Sequence, residues 1–145
     1  MKNIDQFNKL VGLIFAELYG AFPLRVTLSP TELSDREDPH HLKIVTDTIK
    51  WLEESGYICC GKTLMSGGAA RFGETFMAGD ILERTLTPKG LEVLNATPES
   101  VQGQSASYGE LISEAAKDVA VEQGKKGLGE LAAKAIAYGV TSLGN

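Results

Sequence analysis

The stretch Ile49-Lys50-Trp51-Leu52-Glu53-Glu54-Ser55-Gly56-Tyr57-Ile58 decides the fold, because it carries an amphipathic helix straight into a strand. Leu42, Val45, Ile49 and Leu52 recur at helical spacing and form a buried stripe. Lys43, Thr46, Asp47, Lys50 and Glu53 fall largely on the outer face. Glu53 and Glu54 are adjacent, so they do not face one another on a helix, and both are expected in solvent. Asp38 is a good N-cap and Pro39 suits the first helical position. Gly56 stops the helix, and residues 57–64 read as a strand.

Toward the N-terminus, Ile4, Phe7, Val11, Ile14, Phe15 and Leu18 share one face of a first helix. Gly20 and Pro23 are placed to end it. Residues 25–28 alternate and read as a short strand. Ser29-Pro30-Thr31-Glu32 is a capping box that opens a short helix to about Asp35. Toward the C-terminus, a glycine-bearing stretch (Gly67, Gly68, Gly73, Gly79) leads to a returning strand over 81–86. Thr87 and Pro88 then cap another helix.

The composition changes after Asn95. Residues 96–107 read as a linker. From Tyr108 the chain is helical again, with Leu111, Ile112, Ala115, Val119 and Ala120 on one face. The glycines of 124–129 are expected to interrupt it, and a second, small-residue-rich segment follows over 131–143. Glu130 and Lys134 form an i,i+4 pair suited to a water-facing helix.

The chain of 145 residues is 43% hydrophobic and 23% charged, about one domain with a small appendage. Its 14 basic and 19 acidic residues give a formal net charge of −5. That excludes a strongly basic nucleic-acid coat protein and a polybasic membrane binder. No apolar run approaches the roughly 20 residues that span a bilayer. The N-terminus has no apolar signal core, so a cytoplasmic protein without membrane contact is expected.

Cys59 and Cys60 are adjacent and form no disulfide framework. On a strand they would point to opposite faces, one into the core and one partly exposed. Their spacing matches no strong zinc pattern, and nothing beyond the presence of thiols points to redox chemistry. His40 and His41 read as exposed residues at a helix start. Trp51 reads as packing against the first helix or the C-terminal segment. No catalytic set is legible: Ser66-Gly67-Gly68-Ala69 lacks the lysine of a phosphate loop. No enzyme activity, metal or cofactor is implied.

The order of helix, short strand, short helix, longer helix and two-stranded hairpin resembles a winged helix-turn-helix. Four segments carry the likeness: Leu28-Ser29-Pro30-Thr31-Glu32-Leu33, the stretch 49–58, the glycine-bearing hairpin and Leu86-Thr87-Pro88-Lys89-Gly90. The chain is also similar to small winged-helix proteins of prophages and mobile elements that carry an extra C-terminal helix. The resemblance implies an α+β fold of three helices plus a β-hairpin wing over 1–95. A linker over 96–107 and a C-terminal helical arm over 108–145 would follow.

It further implies a regulator of transcription that binds double-stranded DNA, with the second helix of the motif in the major groove. His40, His41, Lys43, Thr46, Asp47 and Lys50 would then face the groove. Lys62 and Arg71 would be wing contacts, and Thr31 and Arg36 would hold phosphate. The arm would form a homodimer through Tyr108, Leu111, Ile112, Ala115, Val119, Leu131 and Ala135. The charges argue for an alternative. Residues 38–54 hold four acids against two bases, while DNA binders commonly neutralise several phosphates with Lys and Arg. The alternative is a winged-helix scaffold used for protein–protein contact.

Overall fold

The structure is a computed structural model that describes residues 2–35, 38–64, 70–71, 76, 79–98, 106–117 and 122–142. For 70–71 and 122–126 it describes the backbone alone. The elements in order are α1 (Asn3–Ala21), β1 (Val26–Leu28), α2 (Pro30–Leu33), α3 (Pro39–Glu54), β2 (Ile58–Cys59), β3 (Thr63–Leu64), β4 (Ala70–Arg71), β5 (Ile81–Leu86), α4 (Pro88–Asn95), α5 (Tyr108–Lys117) and α6 (Glu122–Ser142).

Three helices start as their sequences dictate. The Ser29 hydroxyl accepts from the Glu32 amide, an Asp38 carboxylate oxygen from the His40 amide at 3.0 Å, and the Thr87 hydroxyl from the Gly90 amide at 3.0 Å. Each cap is followed by proline, whose missing N–H costs nothing in a first turn. Helix α1 runs through Gly20 to Ala21 instead of stopping at the glycine.

Strand β5 is the centre of an antiparallel sheet. β1 pairs on one side of it, β2 and β3 on the other, and β4 lies beyond β3. The strand expected over 57–64 is broken. Ile58 faces Leu86 and Cys59 faces Thr85, but Thr63 faces Leu82 and Leu64 faces Ile81. Cys60, Gly61 and Lys62 thus oppose only Arg84 and Glu83, which is a β-bulge. Cys60 (φ 72°) and Gly61 (φ 131°) both lie in the positive-φ region. An added Cβ at Gly61 would collide with the Glu83 carbonyl oxygen. The architecture is α+β, and its element and strand order is compatible with a winged helix.

One apolar core runs through the chain, with α1 at its centre. Helix α1 packs against α3 and β5 and also against α5 and α6. Ile14, Phe15, Leu18, Val45, Ile49 and Leu82 are fully buried, and so are Ile112, Leu128, Ala132 and Ala135 of the C-terminal helices. Each buried Ile or Leu stabilises by about 1.5–3 kcal/mol. The stripe expected to meet a second copy therefore meets α1 of its own chain. Tyr108, Ile112 and Ala135 are buried there, Ala115 and Leu131 pack on the same core, and Leu111 is half-buried. Val119 lies outside the described residues.

The glycines of 124–129 do not interrupt α6. Close approach to α6 rests on Gly12 of α1, where an added Cβ would stand 2.7 Å from the Leu128 side chain; at Gly129 an added Cβ would make ordinary contact, 3.7 Å from the Lys9 amide nitrogen, and at Gly127 it would meet nothing within 4 Å. Glu130 and Lys134 are exposed on the outer side of α6, as expected of a water-facing pair. Among the described residues no helix is long and apolar enough to cross a membrane.

Candidate nucleic-acid interface

The end of α3 is clasped by the start of α4. The Thr87 amide donates to the Tyr57 carbonyl at 3.1 Å, and the Thr87 hydroxyl to the Gly56 carbonyl. Lys89 Nζ donates to the Ser55 carbonyl at 2.9 Å and lies 4.5 Å from the Tyr57 ring centroid. Gly90 leaves no room for a Cβ against the Tyr57 carbonyl. Gly56 takes the positive φ (83°) that turns the chain out of the helix. Two of the sequence segments that suggested the fold thus bond to each other. The joint ties the end of α3 to the start of α4, directly after β5. Trp51 packs as expected against α1, with Phe7 edge-on at 5.2 Å, and also stacks on Tyr57 at 6.0 Å.

The outer face of α3 carries Lys43, Asp47, Lys50 and Glu54 at spacings of four, three and four, so they form one stripe. Lys43, Asp47 and Glu54 are exposed. Lys50 is half-buried, with its ammonium 5.3 Å from the Phe76 ring centroid. The stripe alternates in sign.

Thr46 does not join it. It is 9% exposed and its hydroxyl donates to the Leu42 carbonyl at 2.9 Å, so it is turned inward and cannot reach a base. The buried face of α3 is wider than its aliphatic stripe, since Thr48 is buried too and bonds back to Ile44 at 2.7 Å. Both hydroxyls are satisfied by their own helix, which is how threonine enters an apolar face.

The remaining expected residues are dispersed. Thr31 is half-buried and its hydroxyl pairs with Ser29 at 3.0 Å. His41 is half-buried, and its Nδ1 accepts the Asp35 amide at 2.8 Å, tying the turn before α3 to the helix. His40 is exposed, with Nε2 3.2 Å from the Asn3 side-chain oxygen. Lys62 is exposed at the exit of the bulge. Arg71 lies on β4 opposite Thr63, and Arg36 lies outside the described residues. The structure thus gathers Lys43, Asp47 and Lys50 on α3 and sets Lys62 and Arg71 on the hairpin.

Sequence reasoning missed the group beneath this surface. Arg84 is 2% exposed. Its Nε donates to Glu53 Oε1 at 2.6 Å, its Nη2 to the Thr63 hydroxyl at 3.1 Å, and its Nη1 to the carbonyls of Lys62 (3.3 Å) and Glu83 (2.8 Å). Glu53, expected in solvent, is held under the hairpin with 9% of its side chain exposed. The signal was present in the alternation of β5, where Leu82, Arg84 and Leu86 share the inward face. An arginine between two core leucines needs a buried anion.

Among the described residues no group of three or more metal-ligating side chains comes together. Compared with known proteins, the chain matches no family model, no curated protein and no solved structure.

Proposed function

We propose that this chain is a winged-helix DNA-binding protein of regulatory type that acts on double-stranded DNA in the cytoplasm. One observation carries the reading. The exposed stripe of α3 and the hairpin that bears Lys62 and Arg71 are held as neighbours by the Arg84–Glu53 pair and by the clasp at Ser55, Gly56 and Tyr57. An α-helix of about 10–12 Å diameter fits a major groove about 12 Å wide. Asp47 and Lys50 would meet base edges, since a carboxylate accepts from cytosine and an ammonium donates to guanine. Lys43, Lys62 and Arg71 would neutralise phosphate. In this reading α5 and α6 buttress α1 and thereby α3.

The second reading is a scaffold that docks another protein. It is favoured by the alternating charges of Lys43, Asp47, Lys50 and Glu54, which give α3 no net positive field. Titration of random-sequence duplex DNA into the protein at low and moderate salt separates the two. Binding that falls steeply with salt supports the DNA reading. No binding at low salt leaves the protein-docking reading.

A further inference from the structure

The two cysteines of the chain, Cys59 and Cys60, are bonded to each other, although alternation along a strand would hold them on opposite faces. Alternation fails because the chain leaves the extended conformation at Cys60, where φ is 72°. The bonded pair lies where β2 ends and the register against β5 slips by one residue. Beyond it, the Lys62 carbonyl is held by the Glu83 amide at 2.9 Å and by Arg84. The joint between β2 and β3 therefore has one end gripped from beneath by hydrogen bonds. Its other end is closed by a covalent bond, with Cys59 half-buried and Cys60 exposed.

We propose that Cys59–Cys60 is a reversible thiol–disulfide site, exchanging with low-molecular-weight disulfides of the glutathione type, and that its state sets the backbone of residues 59–61. In the oxidising direction, the Cys60 thiolate attacks one sulfur of the small disulfide. The small S–S bond breaks, a mixed disulfide forms on Cys60, and one small thiolate leaves. The Cys59 thiolate then attacks Cys60 Sγ, the mixed bond breaks, and the second small thiolate leaves. Two cysteine thiols are oxidised, one small disulfide is reduced to two thiols, and the two cysteine protons pass to the leaving groups.

Exposure of Cys60 selects it as the first nucleophile, and adjacency makes the second step intramolecular. With the bond open, Cys60 is released from a conformation that L residues rarely hold. The grip of Arg84 on Lys62 confines the change to the bulge. This chemistry involves no nucleic acid, so it stands or falls apart from the DNA reading.

The test uses the full reduced chain, incubated with graded ratios of reduced to oxidised glutathione, alkylated and weighed intact. The native chain is expected to show only two end states: both thiols alkylated, or neither alkylated, with two hydrogens lost and no glutathione attached. Cys59→Ser is expected to stop at a glutathione adduct on Cys60, and Cys59→Ala to do the same. Amide resonances of the two native forms are expected to differ at residues 58–62 and 83–85 and to coincide along α1 and α3. A lasting adduct on the native chain would overturn the proposal. So would two alkylatable thiols at the most oxidising ratio, or amide spectra that coincide at the bulge.

Discussion

Arg84 Nε stands 2.6 Å from Glu53 Oε1, and this buried pair joins the middle of β5 to the last turn of α3. Two charges taken out of water are tolerated because the guanidinium also donates to Thr63, Lys62 and Glu83. Removing one partner strands the other, so Glu53→Gln and Arg84→Met are each expected to cost about 3–5 kcal/mol in urea unfolding. The pair Glu53→Leu with Arg84→Met is expected to recover most of that, because no charge is left buried. Single substitutions costing under about 1 kcal/mol would mean that the pair behaves as a surface contact.

The clasp on α3 depends on the missing side chain of Gly90. Gly90→Ala drives a methyl against the Tyr57 carbonyl, which is backbone and cannot swing away. It is expected to lower stability by about 1–3 kcal/mol. Gly20→Ala supplies the contrast. It lies in the last turn of α1 with nothing within 4 Å of an added Cβ, so it is expected to raise stability by up to about 1 kcal/mol.

The C-terminal helices are part of the core. Ile112→Ala is expected to cost about 2–5 kcal/mol, the range for deleting a buried aliphatic side chain. Because its partners lie in the same chain, the thermal midpoint is expected to be independent of protein concentration. A midpoint that climbs with concentration would return this stripe to an interface between copies.

Tyr57 is 1% exposed and its hydroxyl has no hydrogen-bond partner among the described residues. Burial raises its phenol above the ordinary value of 10.0. The folded state therefore keeps its proton where the unfolded chain loses it. Stability from this group is full below pH 10 and falls as pH rises past 10 toward the folded value. Tyr57→Phe removes a buried hydroxyl without a partner. It is expected to be neutral or stabilising at pH 7 and to flatten the loss of stability above pH 10, read by denaturant unfolding across that range.

The helix starts at Pro30, Pro39 and Pro88 were legible because a cap and a proline act through neighbours in sequence. So was β5, whose alternation is local. The candidate site was less so. Lys43, Asp47 and Lys50 share a face as helical spacing requires, but Thr46 is drawn inward by the breadth of the α3 contact, which depends on distant elements. The bulge at Cys60 is a mismatch with β5 and is invisible in either strand alone. The cover of the α5 stripe within the chain was not legible for the same reason. An apolar face shows that something covers it, and only the folded chain shows that α1 and α6 pack on α5.

In the DNA reading proposed above, the α3 stripe meets nucleic acid. Its most direct test measures duplex-DNA affinity against salt for the native chain, for Lys43→Ala with Lys50→Ala, and for Thr46→Val as the inward control. The expected result is weaker binding by the double variant, with a salt slope shallower by about 0.9 for each lysine that meets phosphate, and native behaviour from Thr46→Val. Native affinity and slope in the double variant would contradict the DNA reading.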